Sequence, residues 1–108
     1  MDYRMDLRLP VHLPAVLATP TNRLHGETVN LSFEGAYVQL RESIPPLNCQ
    51  TKLCLLLEPD EASVALPAMM VHREQHRLGL VFEAYGEAEC AYLSRRLTEA
   101  YEHIQEEI

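Results

Sequence analysis

Six short runs that alternate apolar and polar residues, each closed by turn formers, precede one stretch with helical period. That order constrains the fold more than any other property of the chain. Between residues 11 and 19, Val11, Leu13, Ala15 and Leu17 alternate with His12, Pro14, Val16 and Ala18. A two-residue period predicts a strand, and Pro10 and Pro14 place that strand at a sheet edge or on a bulge. Pro20 and Asn22 mark a turn over residues 19–23. Residues 25–31 form a second, more polar strand and residues 36–40 a third, apolar one. A loop with Pro45, Pro46 and Asn48 then covers residues 41–50.

The fourth strand, over residues 51–58, puts Leu53, Leu55 and Leu57 on one face and Cys54 and Leu56 on the other. After a turn at residues 59–62, the fifth runs from 63 to 73 and aligns Val64, Leu66, Ala68 and Met70. A hairpin connection at residues 73–76 leads to the sixth, over residues 77–84, with Leu78, Leu80 and Phe82 inward. Short, closely spaced strands of this kind predict a small barrel or sandwich. Beyond Gly86 the period changes. Cys90, Leu93, Leu97, Ala100 or Tyr101, Ile104 and Ile108 recur at three- and four-residue steps, the stripe of an amphipathic helix. Glu87 and Glu89 sit in its first turn, where the helix dipole favours acid. Glu106 and Glu107 sit at the other end, so the last turn is expected to fray.

A chain of 108 residues forms one domain and buries roughly 65% of its unfolded surface, enough for a single core. Its parts are an arm over residues 1–9, a barrel over 10–85 and a helix over 86–108. The formal net charge of −7 argues against polymeric DNA or RNA, which is bound through many Lys and Arg contacts to phosphate. A small anion held by two or three arginines is compatible with it. No run approaches the roughly 18 apolar residues of a membrane span, and no signal peptide is visible. Three cysteines at irregular spacing give no disulfide framework. A reduced, cytoplasmic protein, monomeric or weakly dimeric, is the expectation.

Five histidines raise the question of a metal. Cys49 and Cys54 have no second pair, and His72 and His76 flank a hairpin rather than sharing a helix face. Solvated turn histidines and small core cysteines are therefore expected, with no metal and no cofactor. Catalysis is not expected either. Nucleophile elbow and phosphate loop are absent, and Ser32 gains a base from His12 or His25 only by assumption.

The remaining constellation joins two segments. Arg4 and Arg8 stand four residues apart, and a guanidinium fork suits phosphate oxygens or the O6 and N7 atoms of guanine. Taken alone, exposed pairing with Asp2, Asp6 or other surface acids is the better explanation. Downstream, residues 30–35 (Asn-Leu-Ser-Phe-Glu-Gly) form a polar corner between the second and third strands. Asn30 and Ser32 offer donors and acceptors for the opposite edge of guanine, and Gly35 permits a sharp turn or close approach. The two motifs are chemically complementary.

Arg4-x-x-x-Arg8, the strand that follows it, Asn30-x-Ser32-x-x-Gly35 and the closing Leu78-Gly79-Leu80-Val81-Phe82 resemble a PilZ domain, the bacterial receptor module for cyclic di-GMP. The resemblance covers essentially the whole chain. It implies a mostly β fold, a six-stranded antiparallel barrel with a C-terminal helix and a flexible N-terminal arm. It also implies cyclic di-GMP as ligand, with Arg4, Arg8, Asn30, Ser32 and Gly35 as binding residues. Binding would signal to a downstream protein in motility, adhesion or biofilm control. The alternative it leaves open is a protein-interaction adaptor that binds no nucleotide. Two departures stand out: Asn30 replaces the family's more frequent aspartate, and Tyr3 precedes the arginine pair where many members carry another arginine.

Overall fold

The computed structural model describes residues 8–44, 50–55 and 64–106. Six antiparallel strands close into a barrel in the order β1-β2-β3-β6-β5-β4. They are β1 (Pro14–Ala18), β2 (Arg23–Leu31), β3 (Gly35–Leu40), β4 (Gln50–Leu55), β5 (Val64–Arg73) and β6 (Arg77–Phe82), followed by α1 (Glu87–Glu106). The expected barrel and helix are therefore present. Expected strand residues 56–58 and residue 63 lie outside the described segments, as do Cys49, Leu57 and Ile108.

Closure corrects one expectation. β1 pairs with β2 on one side and β4 on the other, so it is not an edge strand. Pro14 is tolerated because it is the first residue of β1: it stands opposite Glu27 of β2, and the β4 ladder begins one residue later at Ala15 and Leu55. The first strand is correspondingly shorter than its alternating pattern. Residues 11–13 instead hook onto β2 through Thr28, a side chain with no exposed surface. Its backbone N–H donates to the Leu13 carbonyl at 2.9 Å. Its hydroxyl accepts from the Leu13 N–H at 2.9 Å and donates to the Val11 carbonyl.

The interior is filled by one residue in two from every strand. Leu17, Leu31, Val38, Leu53, Leu55, Leu66, Leu78 and Leu80 are completely buried. Each buried leucine contributes about 1.5–3 kcal/mol relative to exposure, so inward alternation on all six strands dominates the stability of the barrel. Two β-bulges interrupt that alternation, between Thr28 and Asn30 in β2 and between Met70 and His72 in β5.

The helix α1 packs against β5 and adds Tyr92, Leu93 and Leu97 to the core, with Ala100 partly buried against it. Its start is fixed by Glu89, at the third helical position, whose carboxylate accepts the Gly86 N–H at 2.9 Å, half of a capping box. One helix expectation needs correction: Cys90 is exposed and Tyr92 is buried in its place; of the alternatives Ala100 and Tyr101, Ala100 is the one that faces the core. Just before the helix, Tyr85 is partly buried against the core and packs edge to face on Phe82 at 6.2 Å.

Replacing Thr28 by valine keeps the shape but strips partners from the Leu13 N–H and the Val11 carbonyl. Unsatisfied buried groups cost about 1–3 kcal/mol each, and a domain of this size loses roughly 4–8 °C in Tm per kcal/mol. Thermal unfolding of Thr28→Val should show a fall of about 10 °C; an unchanged Tm would contradict the assigned role of the hook.

Candidate ligand site at the corner between β2 and β3

The site begins with a pairing that sequence periodicity does not reveal. Leu9 is buried, and its N–H and carbonyl both bond to Leu31, each at 3.0 Å. This isolated bridge ties the segment before β1 to the end of β2, and so fixes where Arg8 emerges. Arg8 Nη1 donates to Asn30 Oδ1 at 3.4 Å across the exposed surface. Two of the five residues singled out from the sequence are thus side by side, from positions 22 apart. Arg4 lies outside the described residues.

Asn30 faces outward only because of the β2 bulge. Thr28 stands opposite Val38 and points into the core, and strict alternation would send Asn30 the same way. The extra residue resets the phase, so Asn30 stands opposite Tyr37 on the outer face and Leu31 turns inward. Bulges commonly re-aim a side chain in this manner.

Ser32 behaves differently from expectation. Its side chain has no exposed surface, so the hydroxyl is turned into the corner rather than presented outward. It donates to the Gly35 carbonyl at 3.2 Å and accepts from the N–H groups of Glu34 at 3.1 Å and Gly35 at 3.0 Å. A serine hydroxyl bonding its own downstream backbone is a compact turn lock. Gly35 is also explained by packing, and its φ is not positive. A Cβ there would sit 2.1 Å from the Leu80 carbonyl oxygen, so only glycine allows β3 to approach β6 this closely. Asn30 and Arg8 face solvent; Ser32 and Gly35 build the corner that carries them.

The corner is fastened at its far side as well. Glu34 accepts the Phe82 N–H at 2.7 Å, and the Tyr85 hydroxyl donates to the Phe33 carbonyl at 2.8 Å. Partial burial raises the Tyr85 phenol above its ordinary pKa, which keeps it a donor. His12 donates to the Thr28 carbonyl and His25 lies against Glu42, so neither histidine bonds the Ser32 hydroxyl. Hydrogen bonding to the His25 backbone N–H holds the Glu42 carboxyl below its usual pKa. Among the described residues no group of three His, Cys, Asp or Glu could hold a metal.

A concavity of about 310 Å³ at Pro14, Gly26 and Arg41 and another of about 330 Å³ at Pro20, Lys52 and Pro67 both lie away from Arg8 and Asn30. The Arg8–Asn30 pair itself lies on the exposed surface. It carries one guanidinium and one amide, a pair suited to phosphate and to a base edge. Sequence reading missed the Leu9 bridge, the two bulges and Tyr37, the neighbour of Asn30. The three-residue step between inward Thr28 and inward Leu31 was the available signal.

Comparison with known proteins agrees with this architecture. No curated protein sequence matches the chain. The PilZ domain of CeSA from a cellulose-synthesizing bacterium is similar in structure, with a TM-score of 0.64, 23% identity, and 82% of this chain and 92% of that chain covered. The Bacillus subtilis Inhibitor of motility (MotI/DgrA) matches all of this chain with a TM-score of 0.74 and 14% identity. This chain spans 54% of that longer protein. At these identities the likeness is one of fold. Among the described residues no helix is long and apolar enough to cross a membrane. A family model described as the PilZ domain matches residues 2–99, and the chain belongs to that family.

Proposed function

We propose that this chain is a cyclic di-GMP receptor that acts by binding rather than by turnover. The observation that carries the reading is the convergence of Arg8 and Asn30 on one exposed corner, through a bulge and a backbone bridge that place them there. Arg8, with Arg4 from the preceding residues, takes phosphate and the O6/N7 edge of guanine. Asn30 takes the other edge of the base. Ser32 and Gly35 hold the corner in shape and contribute through Asn30 rather than by direct contact. Family membership supports signalling by a nucleotide-dependent change in the surface offered to another protein, in the cytoplasm, in motility, adhesion or biofilm control. The chain acts in this reading as a monomer or weak homodimer, needs no cofactor and, with its net charge of −7, does not hold polymeric nucleic acid.

A second reading, an adaptor that binds protein without nucleotide, has one observation in its favour. Met69 and Val81 stand opposite one another on the outer face of β5 and β6, both more than 40% exposed, with Val71 beside them. Such side chains serve a protein partner under either reading.

The division between facing and building residues gives two contrasting outcomes. Arg8→Ala should weaken cyclic di-GMP binding by about ten- to a hundred-fold in calorimetry, the worth of a charge-assisted hydrogen bond. Its thermal stability should stay within about 0.5 kcal/mol of the unmodified chain, as for other exposed substitutions. Absence of binding by the unmodified chain, or equal binding by Arg8→Ala, would contradict the receptor reading. Ser32→Ala should instead lower stability by about 1–3 kcal/mol, because the Glu34 and Gly35 N–H groups lose their acceptor. A Ser32→Ala chain that melts normally yet binds poorly would show that Ser32 contacts the ligand directly.

A further inference from the structure

The outer face of β5 is apolar along its length. Ala65, Met69 and Val71 are exposed and Pro67 is half-buried, while Leu66 and Ala68 between them fill the core. Val81 of β6 stands opposite Met69. Of the five large apolar side chains that the described residues expose, Met69, Val71 and Val81 make up three, at 48%, 61% and 41%. Apolar side chains exposed singly need no explanation, but neighbours on one face mark a contact surface.

The charged residues beside this strip decide what it fits. Exposed Lys52 of β4 stands opposite Pro67 on one side, and on the other the Glu83 N–H donates to the Pro67 carbonyl at 2.8 Å. An amine and a carboxylate therefore flank β5 at the same height, roughly 10 Å apart across two strand spacings. A two-fold rotation about an axis along β5 exchanges the two flanks. It brings Lys52 of each copy against Glu83 of the other, two attractive pairs in one contact, and sets Met69 against Met69 at the axis. The same rotation lays Val81 of each copy, on the β6 side, over the concavity of about 330 Å³ at Pro20, Lys52 and Pro67 on the β4 side of the other. A surface that answers itself in this way is what an isologous contact requires.

We propose that the outer face of β5 is a self-association surface, through which two copies of this chain form a weak two-fold dimer with Lys52 of each against Glu83 of the other. The contact is small. Three strands and the four outward positions of β5 cover roughly 14 Å by 20 Å, well under the roughly 800 Å² per partner of a stable interface. Burial of Met69, Val71 and Val81 supplies the attraction, and the rim charges fix the register more than the affinity. The proposal stands apart from the receptor reading, since it uses none of Arg8, Asn30, Ser32 or Gly35 and requires no nucleotide.

Sedimentation equilibrium of the full chain from about 10 μM to about 1 mM should show a reversible monomer–dimer equilibrium, as expected of a contact this size. Lys52→Glu and Glu83→Lys should each raise the dissociation constant about ten-fold or more, because like charges then meet across the contact. An equimolar mixture of the two variants should recover the dimer, since each supplies the charges that the other now lacks; recovery also shows that both fold. Met69→Glu, at an exposed position on the axis, should abolish association. A chain that stays monomeric up to about 1 mM overturns the proposal. So does a dimer indifferent to Met69→Glu, or a mixture that associates no better than either charge variant alone.

Discussion

In a closed barrel every strand residue must point either into the core or out to solvent, and each chooses by parity. That constraint governs the rest of this molecule. Leucines at alternate positions of six strands fill the interior, and no edge remains to tolerate a slipped register. A polar residue in the inward phase can reach the surface only if the chain inserts an extra residue. It does so twice, at Thr28/Asn30 and at Met70/His72, and both insertions deliver a polar side chain to the same outer row.

The corner between β2 and β3 separates construction from recognition. Ser32 satisfies three backbone groups within the turn, and Gly35 lets β3 lie against the Leu80 carbonyl. Neither needs to touch a ligand to be indispensable to the site. Asn30 and Arg8 are the outward members, and both depend on backbone devices elsewhere: the bulge for one, the Leu9–Leu31 bridge for the other. The proposed nucleotide site is thus an outer surface of the barrel whose polar groups are positioned by its core.

Much of this was legible in the sequence, because period and turn chemistry are local. All six strands, the helix and the inward set Leu78, Leu80 and Phe82 follow from alternation alone. The failures share a cause. Whether the strand bearing Pro14 is an edge depends on pairing with β4, some forty residues away, which no local pattern encodes. Cys90 and Tyr92 lie two residues apart at the start of the helix, and the burial of Tyr92 rather than Cys90 is a matter of tertiary packing that no local pattern encodes. The burial of the Ser32 hydroxyl is likewise not written in the local sequence. A hydroxyl in a turn can face either way, and here it is taken up by the backbone of Glu34 and Gly35.

The central claim is that Arg8 and Asn30, brought together by the bridge and the bulge, act on one nucleotide as a unit. A double-mutant cycle of cyclic di-GMP affinity over Arg8→Ala, Asn30→Ala and the double variant addresses it directly. The account predicts that the double variant loses less than the sum of the single losses, with a coupling of about 0.5–3 kcal/mol. Additive losses, or affinity indifferent to Asn30, would contradict it.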